Sequence, residues 1–72
     1  MGKKYEILLT VSDPKTYKWT ETKARRTFDD ETKANAYVED IKRGGTVGIT
    51  NCDGKMIDTS NIRYIVIRER WY

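Results

Sequence analysis

Asn61-Ile62-Arg63-Tyr64-Ile65-Val66-Ile67-Arg68-Glu69-Arg70-Trp71-Tyr72 is the stretch that decides the fold. Apart from Arg63, residues 62–67 are apolar at both alternating sets of positions, the pattern of a strand covered on both faces. Past Val66, Arg68 and Arg70 share one face, and Glu69 and Trp71 share the other. A strand with this character needs a partner strand with a matching apolar face. Residues 5–11 supply one: Tyr5, Ile7, Leu9 and Val11 fall on one side, with Glu6, Leu8 and Thr10 on the other.

Working outward, Ser12-Asp13-Pro14-Lys15-Thr16 reads as a turn, with Asp13 before Pro14 as its initiator. Residues 17–28 are rich in threonine and aromatic residues and read as a second strand hairpinned to the first. Asp29 or Asp30 then caps a helix, and three acids in its first turn suit the positive end of the helix dipole. Ala34, Tyr37, Val38 and Ile41 form one apolar stripe at i, i+3, i+4 and i+7. Lys42 and Arg43 suit the last turn, and Gly44 is a good residue to end it. A helix this short is marginal alone and must lie against a sheet. Residues 46–50 form a third strand, turned back by Asn51-Cys52-Asp53-Gly54 into a short fourth strand, residues 55–58. A three-residue loop with Gly54 left-handed sets Ile49 opposite Ile57 and Val47 opposite Thr59; a two-residue loop sets Ile49 opposite Asp58. The first is preferred because it pairs apolar with apolar. The order is ββαβββ, an α+β fold with one helix on one face of a mainly antiparallel sheet. The first and last strands are expected to be central neighbours.

Seventy-two residues make a single domain, residues 1–72, with no repeat, linker or low-complexity tract. A chain of this size buries only about 60% of its unfolded surface, leaving little room for a deep active-site cleft. Charged residues make up 35% and apolar residues 38%, near the polar limit for a chain that folds alone. No apolar run approaches the ~20 residues that span a bilayer, the first residues lack a signal-peptide pattern, and Glu6 breaks the myristoylation motif after Gly2. The single cysteine, Cys52, points weakly to a reducing compartment, so a cytoplasmic location and no membrane partner are expected.

The chain has no histidine. Cys-His and Ser-His-Asp arrangements are therefore impossible, and one cysteine cannot complete a structural zinc site. The Asn51–Asp58 stretch lacks the spacing of a calcium loop and reads as a β-turn. Lys42-Arg43-Gly44-Gly45 lacks Walker spacing and reads as a helix terminus. No carboxylate sits in a context that would raise its pKa. No catalytic residue, metal or cofactor is expected, and the chain is read as a binding module rather than an enzyme.

Its charge distribution points to a surface. The net charge is a modest +3, yet residues 15–26 carry five bases and one acid while residues 29–40 carry five acids and one base. Phe28 is expected to pack beneath the helix with Ala24 and Thr22, and Ile65 and Ile67 to face it from the last strand. The other side of the sheet then shows Tyr17, Trp19, Glu21, Lys23 and Arg25 from strand two, Leu8 from strand one, and Tyr64, Val66, Arg68 and Arg70 from the last strand. Aromatic faces for bases and cations for phosphates suit nucleic acid, single-stranded or duplex. Tyr17, Trp19 and Tyr64 would stack, and Lys23, Arg25, Arg68 and Arg70 would neutralise phosphate. The same face suits a protein partner, as in a small adaptor or inhibitor of the kind phages and mobile elements encode, or a homodimer contact anchored by Trp19, Tyr64 and Leu8. A plain solvated face of threonine, tyrosine and basic residues gives the same pattern. The front half, residues 5–42, loosely resembles the arm-binding domains of phage integrases, which read DNA with a sheet. No motif specific to that family is present, those domains end at the helix, and the reading above does not rest on them.

Overall fold

The computed structural model describes residues 2–71. In chain order the elements are β1 (Lys3–Ser12), β2 (Trp19–Phe28), α1 (Glu31–Lys42), β3 (Gly48–Thr50), β4 (Met56–Asp58), a 3-10 turn (Thr59–Asn61) and β5 (Ile62–Trp71). The order is that expected, ββαβββ, in antiparallel sheets with one helix. Two sheets form instead of one: a three-stranded sheet β2-β1-β5 and a two-stranded ribbon β3-β4. β1 and β5 are neighbours, but only β1 is central and β5 is an edge.

The centre belongs to β1 because its alternation is the cleanest. Tyr5, Ile7 and Leu9 are buried on one side, with Ile7 at 0% and Leu9 at 1% exposure. Opposite them in β5 stand Ile67 and Ile65, and opposite Tyr5 in β2 stands Phe28. Ala34, Val38 and Ile41 lower the apolar stripe of α1 onto this face, and Ile49 brings the ribbon into the same core. Each valine, leucine or isoleucine side chain so buried contributes about 1.5–3 kcal/mol.

The helix ends follow their local chemistry. The Asp30 carboxylate caps the start by accepting from Thr32 N–H at 2.8 Å. Gly44 closes the end in the left-handed region (φ 81°) and donates to Ile41 O at 3.1 Å. A Cβ on Gly45 would collide with the Asp40 carboxylate, so that loop already faces a negative charge.

The ribbon takes the apolar register, Ile49 opposite Ile57, with Thr59 N–H donating to Val47 O at 3.1 Å. Asn51 N–H donates to Lys55 O at 2.8 Å, closing a three-residue loop in which Gly54 adopts φ 86°. Asn51 then clasps the ribbon to β2. Its buried carboxamide accepts from the N–H groups of Asp53 (3.0 Å) and Lys55 (2.9 Å) and donates to the Thr22 hydroxyl (3.2 Å). Cys52 N–H donates to Lys23 O at 2.9 Å. Among the described residues, no helix is long and apolar enough to cross a membrane.

Two irregularities matter for the surface. Between the pairs Glu6–Thr27 and Leu8–Lys23, β2 places three residues, Ala24, Arg25 and Arg26, against Ile7 alone. Between Thr10–Tyr64 and Val11–Ile62, β5 carries one extra residue, Arg63.

Candidate binding face

Opposite the helix, β1 presents Lys4, Glu6, Leu8, Thr10 and Ser12. Strand pairing sets Lys23 beside Leu8 and Trp19 beside Ser12 on one flank. It sets Arg70 beside Lys4, Arg68 beside Glu6, Val66 beside Leu8 and Tyr64 beside Thr10 on the other. Five of the seven residues singled out from sequence, Trp19, Lys23, Tyr64, Arg68 and Arg70, therefore share this face.

They fall into two groups, about 13 Å apart along β1 at the rise of a β-strand. At one end the rings of Trp19 and Tyr64 meet edge to face across β1, with centroids 5.5 Å apart. Both remain open, at 56% and 59% exposure. At the other end three cations converge on Glu6: Lys23 Nζ at 3.2 Å, Arg68 at 3.3 Å and Arg70 at 3.4 Å. Leu8 and Val66 lie between the groups.

Glu6 is the residue that sequence reasoning missed. Its alternation with Leu8 and Thr10 placed it on this face, but not at the focus of the cations. It is 6% exposed, while the cations around it remain about half open. Burial alone would push its carboxyl up. Hydrogen bonds from Lys23 and Arg68, together with their charges, outweigh that, so Glu6 ionises below the usual carboxylate range. Three cations on one carboxylate leave the cluster a net positive charge of two.

The remaining two residues stand elsewhere. Tyr17 was expected at the start of strand two. It lies instead in the β1–β2 turn, in the left-handed region (φ 60°) and 80% exposed. Asp13 explains this: its carboxylate accepts from Lys15 N–H and Thr16 N–H, its carbonyl accepts from Tyr17 N–H at 2.8 Å, and pairing starts only at Trp19. Arg25 sits in the irregular stretch of β2, with its guanidinium near Gly54 of the ribbon loop and apart from the Glu6 cluster. Its neighbour Arg26 lies on the helix side, 4.9 Å from the Phe28 ring centre and 5.8 Å from that of Tyr37.

A groove of about 550 Å³ lies between the β1–β2 turn and the ribbon, lined by Val11, Pro14, Thr22, Met56 and Ile57. Asp58, at its rim, accepts from the N–H and hydroxyl of Ser60, and those bonds hold its carboxyl below the usual range. Cys52 is a free, exposed thiol. The described residues contain no cluster of three His, Cys, Asp or Glu side chains able to hold a metal ion. No protein-family model, curated protein or solved structure matches the chain.

Proposed function

We propose that this chain is a non-catalytic module that binds nucleic acid, single-stranded in the first instance, across the helix-free face of its three-stranded sheet. The observation that carries this reading is the pairing of an exposed Trp19–Tyr64 ring couple with the Lys23-Arg68-Arg70 cluster on one side of the sheet. Rings with open faces accept bases of any sequence, and cations with half their surface in water accept phosphates. Strands of ten residues give a track about 33 Å long, enough for the roughly 4 nucleotides at the short end of such sites. The acidic helix lies on the far side, so the field does not oppose a polyanion at this face.

Fluorescence anisotropy with a labelled oligonucleotide, at low and at moderate salt, tests the reading. Three phosphate contacts on a single strand predict a slope of log affinity against log salt of about −2. Trp19→Ala should weaken binding about 5- to 150-fold, the loss of roughly 1–3 kcal/mol of stacking. No binding at low salt would end the proposal. The apolar strip of Leu8 and Val66 between the two groups favours a second reading, a protein partner. Its sign would be a stoichiometric complex that tolerates salt and is lost on Trp19→Ala.

A further inference from the structure

We infer that the open edge of β5 is a self-association surface, pairing antiparallel with β5 of a second copy in a register centred on Val66. The two edges of the main sheet differ. The outer edge of β2 is engaged by the ribbon, through the Ala24–Asn51 bridge and the Cys52–Lys23 hydrogen bond. β5 is ten residues long, contains no proline, and has β1 as its sole hydrogen-bonded strand neighbour among the described residues. Such an edge presents a row of unpaired backbone donors and acceptors.

The side chains decide what pairs with it. In an antiparallel dimer centred on Val66, position i of one copy stands opposite position 132 − i of the other. Ile65 then faces Ile67 and Tyr64 faces Arg68, each twice by symmetry, and just beyond them Arg63, in the β5 bulge, comes beside Glu69. The seven positions from Arg63 to Glu69 thus combine apolar, cation–aromatic and oppositely charged pairs, and only at the end of the strand does Ile62 fall opposite Arg70. Neighbouring registers do worse. Centring on Ile67 keeps cation–aromatic pairs (Tyr64 with Arg70, Arg63 with Trp71) but sets Ile65 against Glu69 and Val66 against Arg68 and loses the apolar centre. Centring on Ile65 sets Ile67 against Arg63, and centring on Arg68 stacks that arginine on itself. The charges that would blunt an edge against arbitrary strands instead select one register.

The groups needed are accessible. Arg63 is exposed and makes no ion pair among the described residues. Glu69 holds Lys3 at 3.1 Å with half its side chain open, leaving it free to accept a second cation. Tyr64 and Val66 are exposed. The two-fold axis runs perpendicular to the sheet through Val66, so both helices lie on one face of a six-stranded sheet. The association does not rest on the nucleic-acid reading, because it is made by the strand edge, and Glu69 shares the helix side with Ile65 and Ile67 by alternation.

Sedimentation velocity from micromolar to millimolar protein tests it. The mass should rise from that of the 8.5 kDa chain towards twice that value. Arg63→Glu and Glu69→Arg each turn two attractive pairs into two repulsive ones and should weaken the dimer about tenfold to a hundredfold. In an equimolar mixture of the two variants, position 63 of one chain and position 69 of the other are again oppositely charged at both pairs, and dimer should return. Circular dichroism of each variant guards against loss of folding. A monomer at every concentration, a dimer indifferent to both reversals, or folded variants that stay apart when mixed would each overturn the inference.

Discussion

Glu6→Gln removes one negative charge while keeping the side chain's size, and it tests the centre of the candidate face directly. The carboxylate is buried and touches three cations at 3.2, 3.3 and 3.4 Å. An exposed ion pair contributes about 0–1 kcal/mol, whereas removing one partner of a fully buried pair costs about 3–5 kcal/mol. Here the acid is buried but the cations are about half in water, so solvent screens each contact and the cost lies between, about 2 kcal/mol at neutral pH. For a domain this small that lowers the melting temperature by roughly 8–16 °C. The pH dependence has a definite sign. The folded carboxyl ionises below its unfolded value of about 4.3, so the stabilisation is complete above that pH and fades as pH falls through the folded value. Thermal melts of both proteins at neutral pH and at stepwise lower pH should show a gap that closes in acid, because wild type loses what the variant already lacks. Equal melting temperatures at neutral pH, or a gap of constant size down to strong acid, would refute the claim that this carboxylate organises the cluster. The same variant frees three cations, so oligonucleotide affinity at low salt should rise while stability falls.

Arg68→Ala should reduce the steepness of the oligonucleotide salt dependence by about 0.7, one phosphate on a single strand, whereas Arg25→Ala should leave it unchanged; anisotropy titrations over a salt series separate the two. Gly54→Ala should cost about 1 kcal/mol, read as a lower urea midpoint. The surroundings have room for a methyl group, so the cost comes from a left-handed backbone that alanine resists.

Much of this molecule was legible in the chain because neighbouring signals agreed. The helix was marked at both ends by Asp30 and Gly44, and the ribbon register followed from Ile49 seeking Ile57 across a left-handed Gly54. The face itself was read by alternation from Phe28 backwards, and for Trp19 and Lys23 this held although β2 is irregular. The irregular stretch gives β2 two more residues than β1, an even excess, so Trp19 and Lys23 kept the side assigned to them; an odd excess would have sent them under the helix. What alternation cannot convey is lateral order. Strand character alone did not say that β5 ends the sheet, and only the pairing of β1 with both neighbours puts Glu6 among Lys23, Arg68 and Arg70. Nor does a threonine- and aromatic-rich run disclose that Asp13 bends Tyr17 out of the strand, or that Arg25 stands where the ladder breaks.

The Asn51 clasp gives the molecule a frame and a flap. The β3–β4 ribbon has three residues per strand and joins the rest of the fold through Ile49 in the core, the side chain and bridge of Asn51, and one backbone hydrogen bond to Lys23. Elements so lightly tethered open at a smaller free energy than the global transition. Amide protons of Ile49 and Ile57 should therefore exchange with solvent well ahead of those of Ile7 and Leu9. Release of the flap uncovers the β2 backbone beside Lys23, so the reach of that lysine across the sheet is set partly by a hairpin that lies outside it.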